Sequence, residues 1–181
     1  MTGVAAVPWA EVSLGEIVTL HYGKALPRDQ RNPNGAVPVY GANGVKDAAD
    51  RYYAQGPTLV IGRKGSAGQI TRVEGPFWPL DVTYFTSHDE SRLDFDFLHY
   101  SLNRLELPKL ARGVKPGINR NEVYALRILL PPLTEQRQIV AILNEAMEDM
   151  EQVRAYFEAN LADLDNLRQS ILQRAFTGEL T

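Results

Sequence analysis

Three groups of basic and amide side chains lie in stretches of this chain that are bounded by glycines. The first group is Tyr40, Asn43 and Lys46, the second is Arg63, Lys64, Ser66 and Arg72, and the third is Lys109, Arg112, Lys115, Asn119 and Arg120. Arginine and lysine contact phosphates or guanine edges, asparagine pairs with adenine, and glycine lets the backbone approach a phosphate closely. The chemistry that these residue types favour is the binding of nucleic acid.

Each group also has a purely structural interpretation. Isolated surface lysines and arginines are usually solvated, and the turn at residues 41–44 uses Asn43 and glycines for backbone reasons alone. Tyr40 is equally compatible with a place in the core. The charge pattern of the loops therefore indicates DNA binding without establishing it.

The patterns of several enzyme classes are missing from the sequence. Residues 62–68 are rich in glycine, but they lack the Gly-Lys-Ser/Thr ending of a nucleotide-binding loop. The histidines His21, His88 and His99 do not have the spacing of metal ligands. Nothing resembles the Gly-x-Ser-x-Gly motif of a hydrolase. We therefore expect no catalytic centre, no metal and no cofactor bound by this chain.

Length and composition are those of an ordinary globular protein. The chain has 181 residues, of which 44% are hydrophobic, which suits one domain plus an extension. It has no cysteine, which excludes disulfides and thiolate zinc sites. It also lacks an apolar run of about 18 residues and a basic start followed by a hydrophobic stretch. We expect a cytoplasmic protein with no membrane partner.

The net charge of −3 is unevenly distributed along the chain. Residues 1–131 hold 15 Lys and Arg against 13 Asp and Glu, a net charge of +2, whereas residues 132–181 hold 4 against 9, a net charge of −5. Phosphate binding depends on local charge more than on the total. A weakly positive first part can therefore bind nucleic acid if its basic residues cluster.

The elements that must position the basic loops are mostly β-strands. Strands are predicted at residues 58–61, 69–73, 82–86 and 127–130, together with a short edge strand at residues 37–40, because Pro38 cannot donate to a ladder. Helices are predicted at residues 94–107, with Asp94 as N-cap, and at residues 121–126. The predicted fold class is α+β, with a mixed, mostly β domain at residues 1–131.

Residues 132–181 are predicted to form one long helix. Apolar residues recur there in alternating steps of four and three, a heptad seam interrupted only by Asn160. The seam comprises Ile139, Leu143, Ala146, Met150, Val153, Phe157, Asn160, Leu164, Leu167 and Ile171. At about 1.5 Å per residue, residues 134–175 span roughly 63 Å. A helix of this length must pair with a second helix, from another copy or from another protein.

Both ends of the long helix have sequence signals. Pro131 and Pro132 cannot lie inside it, and Thr134 is a candidate N-cap. Glu135 would lie in the first turn, where the helix dipole favours an acidic side chain. At the other end, Gly178 predicts the stop. Asn160 either sets the register of helix pairing or faces outward where the helices diverge.

The order of these segments resembles the specificity subunit of type I restriction-modification systems over essentially the whole chain. The motifs that carry the resemblance are the Trp…Leu-Gly-Glu-Ile start at 9–17, Pro-Val-Tyr-Gly-Ala-Asn-Gly at 38–44, Val-Ile-Gly-Arg-Lys-Gly-Ser-Ala-Gly at 60–68, Pro-Gly-Ile-Asn at 116–119, Pro-Pro-Leu-Thr-Glu-Gln at 131–136 and Phe-Thr-Gly-Glu-Leu at 176–180. The junction at 131–136 is the most specific of them.

The resemblance implies a target recognition domain that recognises one half of a split double-stranded DNA site, and a helix that acts as spacer and docks methyltransferase subunits. Those partner subunits would use S-adenosylmethionine, ATP and Mg. Family members usually carry two recognition domains and two antiparallel helices, whereas this chain has one of each. Two copies pairing through the seam would form a homodimer suited to a palindromic split site. The alternative is a coiled-coil adaptor or decoy that binds methyltransferase subunits without recognising DNA.

Overall fold

A computed structural model of the chain describes residues 9–178. In this range it contains ten β-strands, four α-helices and two short 3-10 turns. The strands are β1 (Ala10–Ser13), β2 (Val18–Tyr22), β3 (Val37–Gly41), β4 (Gly44–Ala49), β5 (Ala54–Gln55), β6 (Thr58–Gly62), β7 (Ile70–Val73), β8 (Pro76–Pro79), β9 (Thr83–His88) and β10 (Arg127–Leu130). The helices are α1 (Leu14–Ile17), α2 (Phe95–Arg104), α3 (Arg120–Tyr124) and α4 (Leu133–Phe176), and the 3-10 turns are Arg28–Gln30 and Leu107–Leu110.

The described strands form two four-stranded sheets and one two-stranded sheet. One four-stranded sheet has the order β2-β9-β6-β7 and is antiparallel throughout, and the other has the order β4-β3-β8-β5. Strands β1 and β10 pair antiparallel and so bring residues 10–13 against residues 127–130. The predicted α+β fold class is confirmed, with a mixed-sheet domain followed by a long helix.

Strand β6 lies at the centre of the core. All five of its residues are buried, and β9 and β7 pair with its two edges. A strand that is buried on both faces has a continuous apolar sequence, which Leu59, Val60 and Ile61 provide. The buried Thr58 hydroxyl is satisfied, since its Oγ1 donates to the carbonyl oxygen of Thr86 at 2.7 Å. The strand predicted at residues 58–61 is therefore confirmed.

The prediction that residues 37–40 form an edge strand is wrong. Strand β3 lies inside its sheet, antiparallel to β4 and parallel to β8. Its pairing with β8 involves only Val39 and Tyr40, so Pro38 lies outside that ladder and its missing N–H costs nothing there. The sequence also does not predict β4, which has only a weak apolar alternation, or β8, which begins and ends with proline.

Helix α2 begins as predicted. The Asp94 side chain accepts hydrogen bonds from the backbone N–H groups of Asp96 and Phe97, at 3.0 and 3.1 Å. Leu98 and Leu102 form its buried face. The Asp94 cap satisfies two of the N–H groups that a helix start leaves without partners.

The predicted N-cap of α4 is wrong. The helix begins at Leu133, so Thr134 lies inside it, and the backbone N–H groups of Glu135 and Gln136 donate to the carbonyl oxygen of Pro132, at 2.9 and 3.0 Å. A proline carbonyl is sufficient for this role because only an acceptor is needed. Glu135 lies in the first turn as predicted.

Helix α4 ends at Phe176, and Gly178 adopts φ +79, the left-handed conformation that commonly terminates a helix. The predicted stop is confirmed. The last two residues of the 176–180 motif, Glu179 and Leu180, lie outside the described residues. Among the helices of residues 9–178, none combines the length and hydropathy that crossing a bilayer requires.

The chain divides into two compact units between Arg137 and Gln138, so the first turn of α4 belongs to the first unit. The domain limits expected from the sequence, 1–131 and 132–181, stay a prediction.

Candidate nucleic-acid interface

The second and third groups of basic residues come together in the first unit. An antiparallel bridge joins Lys64 to Gly117, and the backbone N–H of Ile118 donates to the carbonyl oxygen of Arg63 at 3.0 Å. The N–H of Gly65 donates to the carbonyl oxygen of Pro116 at 2.8 Å. The loops at 62–68 and 109–120, which are separated by more than 40 residues in sequence, therefore form one surface.

The first group lies beside this surface because Gly62 has no side chain. A Cβ at Gly62 would lie 2.5 Å from the carbonyl oxygen of Ala42 and 2.2 Å from that of Ser66. The backbone at the tip of the β3–β4 hairpin thus approaches Gly62 more closely than a residue with a side chain would allow. Asn43 is exposed at this tip, next to Gly44 in its left-handed conformation at φ +101.

Tyr40 is the least accessible member of the first group. Its ring packs edge-to-face on Phe77, with centroids 6.0 Å apart, and burial raises the pKa of its hydroxyl. Tyr40 is therefore a half-buried side chain that packs on the core, and its role as a base contact stays a prediction.

Two arginines share one aromatic ring at the centre of the surface. The guanidinium carbons of Arg63 and Arg120 lie 5.3 and 5.1 Å from the centroid of the Tyr22 ring. Arg63 also lies 5.9 Å from the Tyr84 ring, and Arg120 lies 5.7 Å from the Tyr124 ring. Such cation–π contacts hold a guanidinium in place without neutralising its charge.

The two arginines differ in how they are anchored. Arg63 donates from Nε and Nη2 to the carbonyl oxygen of Asp81, at 3.1 and 2.7 Å. Arg120 has a buried Nε without a hydrogen-bond partner, and no carboxylate in residues 9–178 forms an ion pair with its guanidinium. Arg63 is therefore fixed by the backbone, whereas the Nε of Arg120 has no hydrogen-bond partner.

An open cleft of about 370 Å³ runs along these side chains. It is lined by Tyr22, Arg63, Tyr84, Gly117, Ile118, Asn119 and Arg120. Burial raises the pKa of the Tyr84 hydroxyl; the neighbouring Tyr22 adds to this shift and the Arg63 guanidinium opposes it. The hydroxyl donates to the carbonyl oxygen of Ile118 at 3.4 Å. The cleft is thus cationic and aromatic.

The remaining members near the cleft are more exposed. Lys64 and Lys115 project from the two joined loops, and Arg112 lies 3.7 Å from a carboxylate oxygen of Glu122. Asn119 caps α3, because its Oδ1 accepts from the backbone N–H of Asn121 at 2.8 Å. Ser66 is half-buried in the 62–68 loop. All five remain candidate DNA contacts.

Arg72 and Lys109 are in a different electrostatic setting. Arg72 forms ion pairs with Glu74, at 2.9 Å, and with Asp96, and its guanidinium lies 4.8 Å from the Phe95 ring centroid. Lys109 forms an ion pair with Glu106. Because carboxylates already neutralise both charges, we expect smaller contributions to phosphate binding from these two residues.

Sequence reasoning missed the tyrosines that organise the arginines. Tyr22 lies at the end of β2, directly before Gly23, and is 47% exposed. It is paired in register with Tyr84 of β9, and their rings meet edge-to-face at 5.1 Å. The sequence pattern that could have indicated Tyr22 is an aromatic residue at a strand end, directly before a glycine. This pattern does not show which arginines contact the ring.

A second pair of cation–π contacts was also not predicted. Lys24 lies 5.6 Å from the Tyr53 ring and Arg51 lies 5.2 Å from the Trp78 ring, while the two rings are 5.6 Å apart. Within the described part of the chain, no group of three or more His, Asp or Glu side chains has the arrangement of a metal site.

The seam of α4 is largely uncovered in the second unit. Met150, Val153, Phe157, Leu164, Leu167 and Ile171 are each between 49% and 64% exposed. Ile139, Leu143 and Asn160 are half-buried. Flanking residues such as Ile142, Tyr156 and Leu161 are exposed as well. An apolar stripe of this extent is typical of a surface that binds a partner.

Residues 6–154 match the family model of the type I restriction modification DNA specificity domain. A putative type I restriction enzyme specificity subunit of Haemophilus influenzae is 29% identical over 115 residues, 61% of this chain and 30% of that protein. The StySPI specificity subunit of Salmonella potsdam is 38% identical over 135 residues, 68% of this chain and 29% of that protein. The chain thus spans about a third of the length of these curated relatives.

Solved structures show the same fold. The chain matches a structure described as showing complex assembly and conformational transition of the type I R-M system, with a TM-score of 0.79 and 24% identity, over 97% of this chain and 48% of that chain. The HsdS subunit from Thermoanaerobacter tengcongensis matches with a TM-score of 0.71 and 24% identity, over 97% and 47%. The family match covers most of the chain, and the fold agrees with it. This protein therefore belongs to the family of type I restriction-modification specificity subunits and carries one recognition domain of that kind.

Proposed function

We propose that this chain is a DNA-reading specificity subunit that recognises one half of a bipartite target and docks methyltransferase subunits, without catalysing a step itself. S-adenosylmethionine, ATP and Mg would be used by the partner subunits. The observation that carries the proposal is the joining of two basic loops, 62–68 and 109–120, into one surface. Residues 109–120 contain four basic residues and no acid.

The chemistry of this surface suits a DNA duplex better than a small molecule. Lys64 and Lys115 are exposed point charges, which neutralise phosphates without selecting a sequence. Arg120 and Asn119 present donors that can discriminate between base edges. The cleft between them is open, as binding to a large and regular surface requires.

Selection from a library of random DNA duplexes tests this proposal. The full chain should enrich a defined sequence, and its dimer should enrich that sequence twice, in inverted orientation with a fixed spacing. Binding without any sequence enrichment would contradict target recognition. Absence of DNA binding, combined with binding of methyltransferase subunits, would favour the adaptor.

The homodimer is part of the same proposal, and the composition of the seam supports an antiparallel arrangement. When α4 is paired antiparallel with a second copy about Ala155, every seam position meets another seam position. The pairs are Ile139 with Ile171, Leu143 with Leu167, Ala146 with Leu164, Met150 with Asn160, and Val153 with Phe157. Small residues thus face large ones, as close packing requires.

A parallel, in-register pair is the competing arrangement. It would place Ala146 against Ala146, which leaves a gap in the interface, and Phe157 against Phe157, which overpacks it. The charged residues beside the seam favour the parallel pair, because Asp149 would approach Arg154 of the second copy. In the antiparallel pair, Asp149 would instead lie near Asp163. Exposed ion pairs contribute about 0.2–1 kcal/mol each, but gaps and overpacking in a core cost roughly 1–5 kcal/mol. The core term therefore favours the antiparallel pair.

The absence of cysteine from the chain allows a direct test of orientation. Leu143→Cys and Leu167→Cys variants are oxidised separately and then as a mixture. The antiparallel dimer predicts a disulfide-linked dimer only in the mixture, because the geometry of a disulfide requires the two Cα atoms to lie within about 7 Å. Cross-linking of each variant alone would indicate the parallel dimer. No cross-link in any sample would contradict pairing through the seam.

A further inference from the structure

The Arg120 guanidinium is the most unusual charged group of the recognition surface. It lies 5.1 Å from the ring of Tyr22 and 5.7 Å from the ring of Tyr124. Its Nε is buried and has no hydrogen-bond partner within residues 9–178. The other arginine of the cleft, Arg63, already gives two donors to the carbonyl oxygen of Asp81. Because the Nε is buried, the donors that Arg120 can offer a ligand are those of its two Nη groups, which form no ion pair within residues 9–178, whereas two donors of Arg63 are already used.

The aromatic rings that contact Arg120 are themselves held in place. The Tyr124 hydroxyl accepts a hydrogen bond from the backbone N–H of Leu20 at 2.8 Å, which ties α3 to β2. Tyr22 is held against Tyr84, whose hydroxyl donates to the carbonyl oxygen of Ile118. A guanidinium between fixed rings keeps its plane, and its donors then point in a defined direction.

Orientation matters for one class of DNA contact more than for the other. A phosphate accepts hydrogen bonds from many directions, so flexible lysines such as Lys64 and Lys115 are sufficient for it. The O6 and N7 atoms of guanine lie on one edge in the major groove, and a guanidinium binds both only when it is aligned with that edge. The fixed guanidinium of Arg120 has the property that guanine recognition needs.

We propose that Arg120 is a specificity-determining residue that recognises a guanine from the major groove, and that Tyr22 is its positioning residue. This proposal rests on the proposed DNA-reading function. It goes further by specifying a guanine at one position of the half-site. It assigns Arg63 no base contact, because the Nε and Nη2 of Arg63 already donate to the carbonyl oxygen of Asp81.

Base analogues placed in the selected target test the proposal. At one guanine of the half-site, 7-deazaguanine, which lacks the N7 acceptor, should weaken binding of the wild type by about 5- to 150-fold. Inosine keeps O6 and N7 and should bind like guanine at that position. The Arg120→Ala variant has no side-chain donor for N7, so it should bind the guanine and 7-deazaguanine duplexes equally.

Variants of Tyr22 separate positioning from general stability. Tyr22→Phe keeps the ring and should keep the discrimination between guanine and 7-deazaguanine, whereas Tyr22→Leu should lose it at an unchanged thermal unfolding midpoint. Lys115→Ala should weaken binding to all sequences alike.

Two results would overturn the assignment in distinguishable ways. If the wild type enriches a sequence and Arg120→Ala keeps the same discrimination between guanine and 7-deazaguanine, Arg120 does not recognise the base and only this proposal fails. If the wild type enriches no sequence, the proposed DNA-reading function fails together with it.

Discussion

At the level of single residues, the buried Gln136 gives a structural role to the last residue of the Pro-Pro-Leu-Thr-Glu-Gln motif, which spans the start of the long helix. Gln136 is fully buried, and its Nε2 donates to the carbonyl oxygens of Arg92 and Pro131, each at 2.9 Å. Its Oε1 accepts from the backbone N–H of Asp94 at 2.8 Å. One side chain thus satisfies three backbone groups and joins the start of α4 to the start of α2.

Replacing Gln136 should therefore be costly. Gln136→Leu keeps the approximate volume but leaves three backbone groups without partners, and each such group costs about 1–3 kcal/mol. We expect the free energy of unfolding in urea to fall by about 3 kcal/mol or more, the sum of the lower limits for the three groups. The matched control is Gln138→Leu, two residues further on, where the side chain is exposed. An equal loss in both variants would contradict this role of Gln136.

The lowered pKa values of two half-buried histidines predict how the free energy of unfolding changes in mild acid. Burial lowers the pKa of His88, while Glu90, Asp94 and Asp89 oppose the shift, and burial together with Arg72 lowers the pKa of His99. Because the folded state takes up these protons less readily than the unfolded state, stability should be constant above about pH 6.5 and fall as the pH drops below it.

The measurement is urea unfolding at pH 8 and pH 5.5 for the wild type and a His88→Gln, His99→Gln variant. The difference at pH 8 reports packing, since both histidines are then neutral. The variant should lose less stability than the wild type between the two pH values. An equal loss would show that neither histidine links folding to protons in this range.

At the level of elements, Gly62 determines how closely the hairpin and the loop approach each other. Gly62→Ala would place a Cβ 2.2 and 2.5 Å from two backbone carbonyl oxygens, which cannot move as a flexible side chain could. We expect a loss of about 1–3 kcal/mol in stability and weaker DNA binding. Gly117→Ala, whose Cβ would lie 3.5 Å from the carbonyl oxygen of Arg63, is the control and should be tolerated.

The sequence predicts some of these elements because their signals are local. Strand β6 is a continuous apolar run, and α2 has both a cap at Asp94 and a helical apolar face. The position of β3 inside its sheet depends on which strands pair with it. Strand β8 is not recognisable as a strand from the sequence, because it begins and ends with proline. Long-range pairing was therefore the information that local patterns did not contain.

The same distinction applies to the candidate site. The sequence identifies the basic loops, but the bridge between Lys64 and Gly117 that joins them spans more than 50 residues. The part played by Tyr22 depends on two arginines that lie far from it in the chain. The charges were predictable one loop at a time, whereas their grouping and the ion pairs of Arg72 and Lys109 were not.

At the level of the whole molecule, the exposed seam of α4 predicts self-association. Val153 and Phe157 are 54% and 60% exposed and face each other across the proposed antiparallel dimer. A Val153→Asp, Phe157→Asp variant should be monomeric by light scattering, while the wild type is a dimer. Gln152→Asp, Ala159→Asp carries the same added charge away from the seam and should stay dimeric. A monomeric wild type would indicate that another protein covers the seam.

The salt dependence of DNA binding tests the central claim most directly. The logarithm of the binding constant should fall linearly with the logarithm of salt concentration, and the slope should become shallower by about 0.9 for each phosphate contact removed. A Lys64→Ala, Lys115→Ala variant should show this change. An Arg72→Ala, Lys109→Ala variant, whose charges are already paired with carboxylates, should show a smaller one. If the slope of the Lys64→Ala, Lys115→Ala variant equals that of the wild type, the joined loops do not bind DNA and the account is wrong.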